Sequence, residues 1–131
     1  HFPFALNRAQ GESLARIPIK VEEDGSVYCA GEVPENALLS VVRAVTPGSL
    51  ETACEVGARV RSVVTTGVLA FYCAGRLMHL DPVAATAELV ALVEGLAPAP
   101  LIGALCLGEI GSGQQQYPAF HNATIMALPW T

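Results

Sequence analysis

The period of the apolar positions changes along the chain, and each change marks an element. Ala15, Ile17, Ile19 and Val21 alternate with Leu14, Arg16, Pro18 and Lys20, and a period of two puts successive side chains on opposite faces of a strand. Pro18 has no amide hydrogen for a ladder, so this strand is expected at an edge or with a bulge. Asp24-Gly25 predicts a two-residue hairpin turn, with Ser26–Ala30 as the return strand. Gly31–Asn36 reads as another turn and Ala37–Ala44 as a third strand. The period then lengthens. Leu50, Cys54, Gly57, Val60 and Val64 recur at helical spacing, with Ser49 as the expected cap, Glu51 near the positive end and Arg59 and Arg61 near the negative end.

Gly67–Cys73 is an almost unbroken apolar run, expected as a strand buried on both faces. Asp81-Pro82 then pairs a capping carboxylate with a proline at the first helical position. The helix it opens runs to about Leu96, and its polar positions are few, mainly Thr86, Glu88 and Glu94. A helix apolar almost all round is expected to be covered on both sides, which predicts a partner domain or subunit against this second helix. Leu101–Leu107 reads as a second buried strand and Ala123–Leu128 as the last, with the Gln114–Gln116 run at a loop tip between them. Residues 1–12 have turn-like composition and read as a loop or linker before a single domain at 13–131. The order β-β-β-α-β-α-β-β predicts an α+β fold: a mixed, mainly antiparallel sheet of about six strands with two helices on one face.

Composition narrows the function. The 131 residues suffice for one core. Seven scattered basic residues against twelve acidic ones, net charge −5, exclude the clustered cations a nucleic-acid binder needs. No basic amphipathic stretch is present to hold a membrane surface. The apolar run from Leu89 to Leu107 is broken by Gly95, Pro98 and Pro100, so it does not predict a membrane span. Hydrophobic residues make up 52% and charged ones 15%, so part of the apolar surface is expected to meet something else. Cys29, Cys54, Cys73 and Cys106 form no CxxC pair and read as buried free thiols, which places the protein in the cytoplasm. The chain begins at His1 without a methionine or a leader-like run, and is expected to belong to something longer.

Polar chemistry gathers at strand ends. One strand runs into Cys73-Ala74-Gly75-Arg76, another into Gly108-Glu109-Ile110-Gly111, and His121-Asn122-Ala123-Thr124 leads into the last. Ligand sites in sheet proteins collect at such places. The candidate ligand-binding residues are therefore Arg76, Glu109, His121, Asn122 and Cys73. Each also has a structural reading. Glu109 can hold a tight turn by accepting backbone amides, and Arg76 can bridge to Glu109 or Asp81 instead of clamping a ligand carboxylate. Asn122 and His121 can bond their own backbone, and Cys73 can be plain core. Cys73, His79, Cys106 and His121 lack the short spacings of structural zinc, and glycines 108, 111 and 113 precede no lysine-bearing helix. Neither a metal nor a cofactor is expected.

These same segments carry a family resemblance. Phe71-Tyr72-Cys73-Ala74-Gly75-Arg76, Gly108-Glu109-Ile110-Gly111 and Phe120-His121-Asn122-Ala123-Thr124 resemble the C-terminal half of the FIST domain, a sensory module of bacterial signalling proteins also found in some F-box proteins. Arg16-Ile17-Pro18 and the Asp24-Gly25 turn are similar too. The resemblance implies a domain that binds small ligands, amino acids or related molecules, without chemistry. Two departures qualify it: the family's N-terminal half is not among these 131 residues, so the pocket they form is expected to be incomplete, and Leu77-Met78-His79-Leu80 after Arg76 is less polar than the family pattern.

Three functions follow as expectations. The first is a ligand-binding sensory domain of an intracellular signalling protein, working against the FIST N-terminal half or another domain. The second is a small-molecule enzyme with Glu109 as general base and Cys73 or His121 assisting. The third is a purely structural interaction domain that docks through its second helix.

Overall fold

A computed structural model describes residues 2–43, 46–63, 66–112 and 118–131; Val64 and the Gln114–Gln116 run lie outside them. Four strands form the first sheet: β1 (Phe4–Leu6), β2 (Leu14–Val21), β3 (Val27–Ala30) and β4 (Leu39–Val41), in the order β3-β2-β1-β4 with every neighbour antiparallel. The opening segment, expected as a loop, thus supplies an inner strand. Pro3 and Gly11 flank Phe4-Ala5-Leu6 rather than interrupt it, and Leu6 is buried. The register slips between Pro18 and Lys20, as a residue without an amide hydrogen requires. The hairpin at Asp24-Gly25 is present, with Asp24 Oδ1 accepting from Ser26 N at 2.9 Å and Gly25 at φ +86°. Its loop runs from Glu22 to Ser26, longer than a two-residue turn.

The remaining chain builds helices over a second sheet. In order it forms α1 (Thr46–Ser62), β5 (Gly67–Cys73), α2 (Ala74–His79), α3 (Pro82–Leu96), β6 (Leu101–Cys106), β7 (Glu109–Gly111), β8 (Ala119–His121) and β9 (Ile125–Trp130). β6-β5-β9 is a three-stranded sheet in which β5 pairs parallel with β6, across α2 and α3, and antiparallel with β9. β7 and β8 form a separate antiparallel hairpin. The α+β class therefore holds, while the expected single sheet is divided into three and Ala74–His79, read as loop, is a short helix.

Ala53, Val68, Leu92 and Leu96 make the core where α1 and α3 meet β5. The two helices touch backbone to backbone. A Cβ on Gly57 would lie 2.8 Å from the Leu92 carbonyl oxygen, and one on Gly95 would lie 2.8 Å from that of Cys54. Asp81 caps α3 as expected, its Oδ1 accepting from Val83 N and Ala84 N at 2.9 Å. Ser49 does not cap α1, because the helix starts a turn earlier at Thr46.

Three expectations about burial are corrected. Of the four cysteines expected as buried thiols, Cys73 is buried, Cys29 and Cys106 are half-buried and Cys54 is exposed, because Cys54 lies on the outer side of α1. β6 has a partner on one side only among the described residues, and Ile102 to Leu105 are exposed; an apolar run proved to be an edge strand. On α3 one side packs into the core, but Val83 is 79% and Val93 50% exposed, so nothing in the described chain covers the other side. No helix among the described residues is long and apolar enough to cross a membrane.

Candidate functional site

β5 and β9 bring the three polar segments together. Cys73 N donates to the Thr124 carbonyl at 3.1 Å, Ala123 N donates to Cys73 Sγ at 3.2 Å, and Arg76 Nη1 donates to the Ala123 carbonyl at 2.8 Å. Because α2 starts immediately after β5, Arg76 stands over the turn that leads into β9. Cys73 is 1% exposed and acts as core and as an acceptor for that turn.

Arg76 finds its counter-charge on Glu88, not on Glu109 or Asp81. Its Nε donates to Glu88 Oε2 at 2.9 Å and its Nη2 donates to Oε1, the two-pronged geometry that suits a guanidinium. Tyr72 OH donates to the same Oε2, and Ser49 Oγ to Oε1 at 2.5 Å. Glu88 is fully buried. Burial pushes its carboxyl up, but the bonds from Arg76, Ser49 and Tyr72 outweigh this and hold it below its ordinary value. For Arg76 burial acts downward, yet Glu88 holds the guanidinium above its ordinary value. Burial and the bond to Glu88 push the Tyr72 hydroxyl well up. One carboxylate thus ties α1, α2, α3 and β5 together. By composition Glu88 is only one of the few polar positions of α3; the signal of its burial is its place at four-residue spacing between Ala84 and Leu92, on the buried stripe.

Glu109 occupies a different setting. At 5% exposure it starts β7, and its oxygens accept from Cys106 Sγ at 2.7 Å and from Thr124 Oγ1. A carboxylate has about four acceptor sites, so these two bonds leave acceptor capacity. Burial, then the contact with Glu109, raises the Cys106 thiol to about 11, which keeps it protonated and donating. Glu109 borders a cleft of about 880 Å³ whose walls are Phe71, Met126 and Leu128 of the sheet and Val56 and Val60 of α1, with Arg59 at its α1 side. Gly108 is required at its floor, since a Cβ there would collide with the Phe120 ring.

The other candidates are turned elsewhere. His121 lies opposite Glu109 in the β7–β8 register, and its Nε2 meets the Gly111 carbonyl at 3.0 Å. The Asn122 amide is buried and, with its nitrogen facing β2 and β3, donates to the Ala30 and Ala15 carbonyls at 2.8 and 3.3 Å. Beside it, buried Arg16 donates to the Glu32 carbonyl at 2.7 Å and to that of Phe120 at 3.2 Å. These two residues fasten the first sheet to the 119–122 segment. Arg76 itself borders a separate hollow of about 350 Å³ with Ser49, Thr52 and His79. Among the described residues no three His, Cys, Asp or Glu side chains gather as metal ligands.

Three comparisons bear on identity. No curated protein matches the chain significantly. No solved structure does so either. A family model for the FIST C domain matches residues 1–112, taking in the first sheet, the helices and the Gly108–Gly111 segment but stopping before His121–Thr124. With most of its length matched, the chain belongs to the FIST C domain family, which is associated with sensory proteins of signal transduction.

Proposed function

We propose that this chain is a ligand-binding sensory domain, that its ligand lies in the cleft beside Glu109, and that the ligand is an amino acid or a close relative. The observation that carries this reading is a buried carboxylate with acceptor capacity at one end of a large, mainly apolar cleft. Ligand sites have this character: apolar walls and a few fixed polar groups. Glu109 would take the ammonium group, Arg59 the carboxylate, and the Phe71, Met126 and Leu128 wall an apolar side chain. The cleft is open, and in this reading a further domain, the family's N-terminal half or another unit, closes it and meets the bare side of α3. The four free cysteines suit a cytoplasmic setting.

The enzyme reading draws less support. Cys106, the thiol nearest Glu109, is held protonated, and His121 is bonded to the Gly111 carbonyl. The test is a thermal-shift and calorimetric screen of the natural full-length protein against leucine, methionine, phenylalanine, arginine and glutamate. Saturation at a hundredfold excess over Kd adds about 2.7 kcal/mol, and Glu109→Gln removes the shift. If no amino acid or small carboxylate raises Tm, or if Glu109→Gln leaves the shift intact, the ligand assignment is wrong.

A further inference from the structure

We infer that the hollow between the first sheet and the start of β8 is an anion site, in which Arg16 receives the carboxylate of a small acid with an apolar body. The hollow shares no bordering residue with the Glu109 cleft, so the two readings stand or fall separately.

Leu6 and Leu14 stand opposite each other in β1 and β2, and Arg16 follows two residues on, on the same face. Arg16 is 4% exposed and lies so close to Gly31 that a Cβ there would sit 3.0 Å from its Nε. Burying a charge is costly unless it is paired. Among the described residues no carboxylate lies within 4 Å of this guanidinium. Its partners are carbonyls: that of Glu32 at 2.7 Å from Nε, and those of Ala15 and Phe120 at 2.8 and 3.2 Å from Nη1. A guanidinium carries five N–H donors. These bonds use the ones on Nε and Nη1 and leave both hydrogens of Nη2 without an acceptor among the described residues. The contrast with the other buried arginine is direct. Arg76, paired with Glu88, is held above its ordinary value. Arg16 is held below its own by burial, which Cys29 and Glu32 offset only in part.

Arg16 borders a hollow of about 320 Å³. Exposed Arg8 adds a second positive charge there, and exposed Glu32 is the one acid among the bordering residues. In a chain of net charge −5, an excess of cations at one small hollow reverses the prevailing sign. Asn7 also borders it; its Nδ2 donates to Ser40 Oγ at 2.9 Å and keeps a second hydrogen. The rest of the wall is apolar, with Leu6, Leu14, Pro34 and Ala37. A carboxylate supplies the counter-charge that Arg16 lacks, and a short hydrocarbon body covers the apolar wall. Apolar walls with a few fixed polar groups are what small-molecule sites offer.

The test is a ligand-observed NMR titration of the natural full-length protein with isovalerate, its neutral isostere isovaleramide, acetate and inorganic phosphate. Isovalerate is expected to bind saturably with Kd on the order of 1 mM, as suits so small a ligand. Isovaleramide is expected to bind at least about tenfold more weakly, since a bond to a charged group is lost; acetate and phosphate, without the apolar body, are also expected to bind more weakly. Arg16→Gln is expected to abolish binding. Because it also removes bonds to three carbonyls, two exposed positions keep the test decisive if it unfolds. Arg8→Gln is expected to weaken isovalerate about threefold and Glu32→Gln to strengthen it about threefold, the scale of an exposed charge pair, both with unchanged circular dichroism. Glu109→Gln is expected to leave isovalerate binding as it was. No saturable isovalerate binding overturns the inference, and so does isovaleramide or phosphate binding as tightly as isovalerate. Binding that ignores both Arg8→Gln and Glu32→Gln, or that Glu109→Gln removes, overturns it as well.

Discussion

Glu88→Gln removes one charge from the most buried polar group of the domain and leaves its shape nearly unchanged. At an effective dielectric constant of about 20, two unit charges 3 Å apart attract by roughly 5 kcal/mol. Desolvation cancels much of this in the intact pair, but Gln leaves Arg76, whose side chain is only 14% exposed, without a counter-charge. Each Glu88 oxygen also accepts two bonds, from Arg76 and Tyr72 or from Arg76 and Ser49. The amide nitrogen of Gln is a donor, so on either side it faces two donors. Removing one member of a buried pair costs about 3–5 kcal/mol, a fall in Tm of roughly 10–20 °C for a domain of this size. Urea unfolding at pH 7, followed by circular dichroism, measures it. Glu88→Leu combined with Arg76→Met removes both charges and is expected to cost at least 2 kcal/mol less than the two single changes summed, since apolar replacement of a whole pair is close to neutral. Losses below about 1 kcal/mol for each single change, adding without coupling, would refute the view that this pair holds α1, α2, α3 and β5 together.

Acid titrates the same pair. The folded Glu88 carboxyl lies below its ordinary value, so its contribution is fully present above about pH 4.3, the ordinary glutamate value, and is lost as pH falls through the folded value. Between pH 7 and pH 3 the wild-type Tm is expected to fall further than that of Glu88→Gln; parallel curves would show that Glu88 does not carry this part of acid unfolding. Gly57→Ala places a methyl 2.8 Å from the α3 backbone and is expected to cost about 1–2 kcal/mol, overpacking exceeding the gain in helix propensity. Gly48→Ala on the same helix meets nothing within 4 Å and is expected to stabilise by up to about 1 kcal/mol. The same urea titrations decide it, and two changes of like sign would contradict the close helix contact.

What was legible in the chain was local. The Asp81 cap, the Pro18 bulge, the Asp24-Gly25 hairpin and the central β5 each depend on a residue's own backbone chemistry or on a short apolar period, and each is present. What stayed hidden was pairing between distant segments. An apolar run such as Leu101–Cys106 reads the same whether one strand neighbours it or two, so its sequence predicts burial on both sides where the fold supplies one neighbour. The three residues of β1 carry too little periodicity to stand out in the sequence, although their partners in β2 and β4 fix them as an inner strand.

The candidate site divides along the same line. Glycine-bearing strand ends were a sound guide to where polar groups would meet, since Cys73, Arg76, Ala123, Thr124 and Glu109 do lie together through named bonds. They could not reveal which of these groups spend their bonds on one another. Arg76 looks like a ligand clamp until Glu88 is placed beside it, and Glu88 looks like a solvated helix position until α1, α2 and β5 close over it. A carboxylate recurring at four-residue spacing with Ala84 and Leu92 already conflicts with solvation, because that stripe is the one α3 must bury. A buried acid on such a stripe demands a cation, and among the seven basic residues Arg76 is the one that the β5–α2 junction carries to the same side. The same reasoning leaves Glu109 as the acidic group with a cleft in front of it. Binding is therefore to be sought there, with Arg76 and Glu88 as the frame that holds the cleft's far wall in place.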